Sequence, residues 1–172
     1  MSAPNASQPA TPPTARAARD WHAMRAPAAQ IAQLPTRQAR MDAFIQMLWP
    51  RVRDTGVSWV GFYVDQPGHP DDQRLILAAR EPKPACSPIG VHGACGKCLL
   101  AAEPLVVPDI RALGASYIAC DPRDLSELVV PCCDPDGAAW GVLDFDSHEI
   151  SSFDAGDAAH TVYLLRIAGL SA

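Results

Sequence analysis

Two apolar segments joined by a four-residue turn constrain the fold of this chain most strongly. The segments are residues 127–133 (ELVVPCC) and 138–146 (AAWGVLDFD), and residues 134–137 (DPDG) connect them. Proline at the second position of the turn and glycine at the fourth are typical of a type I turn. Since a connection this short can join only antiparallel strands, the sequence predicts a β-hairpin here.

The other predicted elements arrange helices around this hairpin. Helices are predicted from apolar residues spaced three or four apart, and strands from alternating β-branched and aromatic residues. In chain order they are a helix at 36–52, strands at 57–64 and 74–79, a short helix at 96–103, a short strand at 104–109, the hairpin, and a final helix from 155 onward. Ser152 or Asp154 can cap the final helix. This order predicts an α+β fold, an antiparallel sheet with the N- and C-terminal helices on one face and a loop-covered pocket on the other.

The N-terminal part of the chain differs in composition from the rest. Residues 1–35 are rich in alanine and contain six prolines, which interrupt any long helix. We therefore expect a largely mobile tail over residues 1–35 and a single domain over residues 36–172. A length of 172 residues suits one well-packed domain.

Charge and hydropathy exclude several classes of partner. The net charge is −5 and no cluster of Lys and Arg is present, which argues against nucleic acid as a partner. No apolar run approaches the ~20 residues that span a bilayer, and the N-terminus lacks the apolar core of a signal peptide. We expect a cytoplasmic protein. In that reducing compartment, its six cysteines favour redox or metal chemistry over structural disulfides.

Acidic side chains mark the second hairpin strand. By alternation, the residues on one face of this strand are Trp140, Val142, Asp144 and Asp146. A solvated face would not combine acids with aromatic and aliphatic side chains, so we interpret this face as the floor of a pocket with acids at one end. Glu127 on the neighbouring strand could join them. Because three carboxyls so close together cannot all ionise, one would hold a proton near neutral pH and supply a general acid.

Cysteines and aromatics supply the other candidate site residues. Cys120, in the loop before the hairpin, is either a small packing residue or a nucleophile, and nearby acids would raise the pKa of its thiol. Trp59 and Tyr63 share one face of their strand, where they are either core residues or the walls of a cage for a small apolar group. The five histidines show no ligand spacing.

A Cys-x-x-Cys motif, Cys95 to Cys98, suggests a metal hypothesis. Structural zinc takes four ligands, commonly from two such pairs. The candidate second pair is Cys132 and Cys133, which are adjacent on a strand and point to opposite faces. They cannot both bind one ion without a break in the strand, so we predict no metal site.

The sequence resembles the free methionine-(R)-sulfoxide reductases, a branch of the GAF-domain family. The matching motifs occur in the family's order and cover about the last two-thirds of the chain. They are WVGFY (59–63), KPAC (83–86), GACG (93–96), VPD (107–109), YIACD (117–121), SELVVP (126–131) and GVLDFDS (141–147). The resemblance implies a GAF-like α+β fold and reduction of free L-methionine-(R)-sulfoxide to methionine.

The resemblance also implies roles for three cysteines. Cys120 would be the nucleophile, Cys86 the main resolving thiol and Cys95 a second one. The implied reaction passes through a sulfenic acid on Cys120 and then an intramolecular disulfide, which thioredoxin reduces.

The implied substrate contacts are carboxyls and aromatics. Glu127, Asp144 and Asp146 would hold the sulfoxide oxygen and the amino group, and the acids would also supply the catalytic proton. Trp59 and Tyr63 would flank the methyl group. The resemblance further implies a homodimer. We expect no cofactor.

The chain departs from the family pattern around the resolving thiols. Cys86 and Cys95 are nine positions apart, one fewer than in the family, and Pro88 and His92 stand near places where the family has basic residues. Cys98, Cys132 and Cys133 are not family features. Two alternatives to the reductase are ranked below it. The second-ranked hypothesis is a non-catalytic GAF module that binds a small amino-acid-like ligand, and the third is a structural zinc domain with cysteine ligands.

Overall fold

The computed structural model describes residues 18–114 and 120–172. Its helices are α1 (Arg25–Ile31), α2 (Arg37–Val52), α3 (Ala94–Ala101) and α4 (Ala155–Ile167), with a short 3-10 turn at Ile110–Leu113. Its strands are β1 (Val57–Asp65), β2 (Leu75–Glu81), β3 (Leu105–Val107), β4 (Ser126–Cys133) and β5 (Ala139–Ser147). The elements predicted from residue 36 onward are present, each with bounds within a few residues of the prediction.

The five strands form one antiparallel sheet in the order β2-β1-β5-β4-β3. β4 and β5 form the predicted hairpin, closed by a bond in which the Gly137 amide donates to the Asp134 carbonyl (2.9 Å). Gly137 has a φ of +89°, a conformation that glycine adopts without strain. β5 lies at the centre of the sheet, so its side chains are buried on both faces.

Helices α1, α2 and α4 cover one face of the sheet. Phe44 and Leu48 of α2 and Leu165 of α4 pack there against the strands in the larger apolar core. Between the two predicted caps of the final helix, Asp154 is the N-cap, and it forms a capping box with Asp157. Within the described residues, no helix has both the length and the apolar character needed to cross a membrane.

Helix α3 and the loops around it cover the opposite face. A second apolar core lies there, in which Cys95, Cys98 and Leu99 of α3 pack against the sheet. Gly96 allows this packing, because a Cβ at this position would lie 2.1 Å from the backbone of Val91. The predicted α+β arrangement, with terminal helices on one face and a pocket region on the other, is confirmed.

Trp140 lies on the opposite face from the one predicted. Alternation placed it beside Val142 and the acids, but it packs in the helix-side core, with the Arg37 guanidinium 4.2 Å from its ring centroid. The cause is a bulge at the start of β5, where the pairing shifts between Cys132 and Cys133. An extra residue in one strand reverses the alternation beyond it.

The packed body begins earlier than the predicted boundary at residue 36. Trp21 and Met24 lie in the helix-side core, and α1 follows. Arg19 is buried and donates to Asp157 Oδ2 at 2.7 Å. The proline inside α1 is in its first turn, where no helical hydrogen bond is lost, and tertiary burial holds this short helix in place. Residues 1–17 of the predicted tail lie outside the described residues.

Candidate active site

A cavity of about 270 Å³ lies between the sheet and the N-terminus of α3. Its floor is formed by β1, β4 and β5, and its walls by α3 and the loop before it. The lining residues are Tyr63, Asp72, Ala85, Ile89, Gly90, His92, Gly93, Ala94, Cys95, Cys120, Glu127, Asp144 and Asp146. Six of the eight residues proposed from the sequence as site residues are therefore in one cavity.

Strand register brings the three carboxyls together. Asp146 of β5 lies directly opposite Glu127 of β4, and Asp144 is two residues earlier on the same strand. On the other side of β5, Trp59 pairs with Asp146 and Gly61 with Asp144. Directly paired side chains lie ~5 Å apart, so the sheet holds Glu127 and Asp146 side by side, with Asp144 two residues away on the same face of β5.

The carboxyl of Asp144 is buried without full hydrogen bonding. Its side chain is 6% exposed, and Oδ1 has no hydrogen-bond partner among the described residues. Burial, followed by the charge of Glu127, raises the pKa of Asp144 well above its usual range. Burial, followed by the charge of Asp144, likewise raises the pKa of Asp146. Acids arranged in this way retain a proton at a pH where an ordinary carboxyl has lost it.

The two aromatic residues anchor the loop that carries Cys86. Trp59 Nε1 donates to the Lys83 carbonyl, and the Tyr63 hydroxyl donates to the Cys86 carbonyl, each at 2.8 Å. The two ring centroids are 6.1 Å apart. Gly61 lies beneath the indole, since a Cβ there would be 2.3 Å from the Trp59 ring. The absence of a side chain on Gly61 thus makes room for the Trp59 ring along the same face of β1.

Trp59 itself lines an adjoining cavity of about 180 Å³. Cys120 and Asp146 line both cavities, so they lie where the two meet. Burial raises the pKa of Tyr63, which therefore keeps its hydroxyl proton and acts as a hydrogen-bond donor.

The three candidate thiols have different surroundings. Cys120 is exposed at the edge of the cavity, and Cys86, which is also exposed, is near enough to influence its thiol but does not line the cavity. Burial, then the interaction with Cys86, raises the pKa of Cys120 to about 12. Cys95 is buried, and its thiol lies 4.0 Å from Glu127 Oε1. Burial, then the charge of Asp144, raises the pKa of Cys95.

Ion pairs join the two loops that carry Cys86 and Cys120. Lys83 forms an ion pair with Asp121, and Arg123 donates to the same carboxylate at 2.7 Å. These two cations hold the pKa of Asp121 well below its usual range. Lys83 and Asp121 lie within the sequence motifs KPAC and YIACD, but no local pattern indicates that they pair, because 38 positions separate them. Residues 117–119 of the YIACD motif lie outside the described residues.

The cysteines of the zinc hypothesis do not converge. Cys95 and Cys98 lie in the core on the α3 side of the sheet, whereas Cys132 lies in the helix-side core. The four-cysteine zinc site is therefore excluded by the fold. Within the part of the chain that the structure describes, one group of residues could hold an ion, namely Cys95, Glu127 and Asp144.

Taken together, the cavity combines a nucleophile with a source of protons. The exposed Cys120 thiol, the buried Cys95 thiol and carboxyls of raised pKa line one space of small-molecule size, and Cys86 lies outside that lining. This arrangement suits attack by sulfur on an electrophile whose leaving atom must be protonated.

Comparison with known proteins identifies relatives of the same architecture. The GAF domain family matches residues 51–168. The free methionine-R-sulfoxide reductase of Saccharomyces cerevisiae is 35% identical over 114 residues, which are 64% of this chain and 62% of the yeast protein. The chain thus matches less than two-thirds of the length of that curated relative.

Solved structures of two bacterial proteins cover more of the chain. The reduced form of fRMsr from Staphylococcus aureus superposes with a TM-score of 0.78 at 27% identity, over 90% of this chain and 96% of the other. The free methionine-R-sulfoxide reductase of Neisseria meningitidis, in complex with its substrate, gives a TM-score of 0.72 at 30% identity, over 88% and 89% of the two chains. The fold predicted from the sequence is therefore shared with these proteins.

Proposed function

This chain belongs to the GAF domain family, and we propose that it is an oxidoreductase that converts free L-methionine-(R)-sulfoxide to methionine. The observation that carries the proposal is the convergence of Cys120 with the acids Glu127, Asp144 and Asp146 on one cavity. A GAF module that only binds a ligand has no need of a thiol beside proton-carrying acids. The similarity to a reductase solved with its substrate supports the same conclusion.

The first stage reduces the sulfoxide and oxidises Cys120. Cys120 sulfur attacks the sulfoxide sulfur and forms an S–S bond while the protonated oxygen leaves as water. A water molecule then attacks the Cys120 sulfur and breaks the S–S bond, which gives methionine and a sulfenic acid on Cys120. The sulfoxide is reduced by two electrons and Cys120 is oxidised by two. An acid must protonate the oxygen as it leaves, and Asp144 and Asp146, whose pKa values burial raises, can hold that proton.

The substrate's polar groups have matching partners in the cavity. Asp144 Oδ1 is buried without a hydrogen-bond partner among the described residues, and a substrate ammonium group would supply the missing donor. Asp146 and Glu127, which are opposite each other in the sheet, would hold the sulfoxide oxygen. Trp59 and Tyr63 flank the methyl group.

A second thiol regenerates Cys120. Cys86, an exposed thiol near Cys120, attacks the sulfenic acid, forms a Cys86–Cys120 disulfide and releases water. An external dithiol then reduces the disulfide. From the family resemblance we propose thioredoxin as that dithiol, a homodimer as the assembly and the cytoplasm as the compartment.

The test is stereospecific turnover by the purified full-length protein. With NADPH, thioredoxin and thioredoxin reductase, wild type should consume NADPH upon addition of free methionine-(R)-sulfoxide and not of the (S) isomer. Cys120→Ser should reduce the rate to background, whereas Cys133→Ser, at the far end of β4, should retain it. Saturable binding of the sulfoxide without turnover, even with dithiothreitol as reductant, would show a binding module instead and reject the reductase.

A further inference from the structure

Three potential ligand atoms, one thiol sulfur and two carboxylate oxygens, lie close together in the cavity lining. The Cys95 thiol sulfur and one carboxylate oxygen each from Glu127 and Asp144 lie within 4.8 Å of one another. All three residues are buried, and Asp144 Oδ1 lacks a hydrogen-bond partner among the described residues. Such an unpaired oxygen, in a side chain only 6% exposed, points to a ligand that the protein itself does not supply.

The donor set selects a particular class of cation. Ca²⁺ and Mg²⁺ prefer six or more oxygen ligands and do not favour sulfur. One thiolate with two carboxylates suits Zn²⁺, which binds sulfur and oxygen together and accepts three protein ligands with a fourth position open. The five histidines of the chain contribute nothing to this group within the described residues.

We propose that Cys95, Glu127 and Asp144 form a binding site for a zinc-like divalent cation, which blocks the cavity against the sulfoxide. In a tetrahedral zinc site with these ligands, donor atoms are about 3.4–3.6 Å apart. The Cys95 sulfur and Glu127 Oε1 are 4.0 Å apart, so a displacement of less than about 1 Å brings these two atoms to that separation.

Access and charge both support binding at this position. Cys120 and His92 line the same cavity and are exposed, which gives an ion a path from solvent. Asp146, directly opposite Glu127 in the sheet, adds a further acid beside the site. A bound dication would lie where the proposed function places the substrate's ammonium group and would remove Cys95 from thiol exchange. The metal binding itself does not depend on the proposed function; only the competition does.

The experiment uses reduced, metal-free, full-length protein. Titration with Co²⁺ should give one equivalent of a thiolate-to-cobalt charge-transfer band, and Zn²⁺ should displace the cobalt. Cys95→Ser should abolish the band and weaken Zn²⁺ binding, measured against a chromophoric chelator, by more than about tenfold, since even outer-shell changes cost metal sites ten- to a hundredfold. Cys98→Ser, three residues along the same buried helix, is the matched control and should keep the band.

Further variants keep the proposal testable if Cys95→Ser folds poorly by near-UV circular dichroism. Asp144→Asn and Glu127→Gln preserve shape and should each weaken Zn²⁺ binding by a similar factor. A charge-transfer band that survives in Cys95→Ser but disappears in Cys86→Ser would indicate adventitious binding by the exposed thiol and overturn the proposal. So would the absence of any stoichiometric Co²⁺ or Zn²⁺ binding by wild type.

If wild type turns over sulfoxide, Zn²⁺ should raise the apparent KM without changing kcat. Zinc binding by a protein without turnover would support the site and reject only the function.

Discussion

The Cys95 thiol lies 4.0 Å from Glu127 Oε1, inside the acid cluster, whereas Cys86 is exposed and close to Cys120. Both resolving thiols implied by the family resemblance are thus near the proposed nucleophile, but their environments differ. A thiol buried beside acids forms its thiolate poorly, because both burial and negative charge oppose ionisation. Cys86 is exposed and lies outside the lining of the cavity that holds these acids.

We therefore predict that Cys86 resolves the sulfenic acid. Cys86→Ser should lower steady-state turnover by about tenfold or more, because the reacting thiolate is lost. Cys95→Ser should lower it by much less. The Cys120 sulfenic acid should accumulate in Cys86→Ser and be trapped by dimedone, as read by mass spectrometry after one turnover without reductant. Equal trapping in the two variants, or a Cys95–Cys120 disulfide in wild type, would contradict this assignment.

The buried acids should make stability depend on pH in a defined direction. Burial raises the pKa of Asp144 above its ordinary value near 3.8. The folded protein then binds this proton more tightly than the unfolded chain, so the stabilising contribution is present below the unfolded pKa and is lost as pH rises through the folded pKa. Asp144→Asn cannot ionise and should escape that loss.

At pH 8, Asp144→Asn should have a higher free energy of unfolding than wild type, by about 1–3 kcal/mol. At pH 5 the difference should be smaller, and the variant should have little reductase activity at either pH. Urea unfolding at both pH values measures the effect. Asp54→Asn, on an exposed side chain, is the control and should shift neither value. A difference that shrinks as pH rises would have the wrong sign.

Gly61 is predicted to be a packing requirement of the pocket. In Gly61→Ala the new methyl group would lie 2.3 Å from the Trp59 ring, which must move away from the sheet. We expect a loss of about 1–3 kcal/mol of stability and a raised KM, since Trp59 would no longer be held over the substrate site. Gly68→Ala is the matched control, because a Cβ there meets nothing within 4 Å. An unchanged KM in a folded Gly61→Ala protein would show that Trp59 does not contribute to substrate binding.

The buried pair Arg19–Asp157 is predicted to attach the N-terminal segment to the body. Their side chains are 1% and 4% exposed, and Trp21 Nε1 also donates to Asp157 at 3.0 Å. Arg19→Ala leaves the Asp157 charge buried and uncompensated, so the free energy of unfolding should fall by about 3–5 kcal/mol. Arg25→Ala, which loses a contact with the Tyr163 ring, should cost less than about 1 kcal/mol. Thermal and urea denaturation of both variants would measure the two losses in the free energy of unfolding.

The sequence determined the fold to a large extent because its signals are local. Alternation, helical spacing and the DPDG turn depend on residues that are near neighbours in the chain. They placed the antiparallel sheet, the hairpin and the strand face that carries Asp144 and Asp146. The motif resemblance pointed to Cys95, Cys120 and the acids, which line one cavity, and to Cys86, which lies outside that lining.

Tertiary structure alone decided the features that depend on distant contacts. A bulge in the β4–β5 pairing turned Trp140 to the opposite face. The alternating pattern of the sequence does not show where a strand contains such an extra residue. The buried partner of Arg19 is 138 positions away, so composition marked that segment as a tail. The raised pKa of Asp144 and the Lys83–Asp121 pair arise from burial and cross-chain proximity, which exist only once the chain has folded.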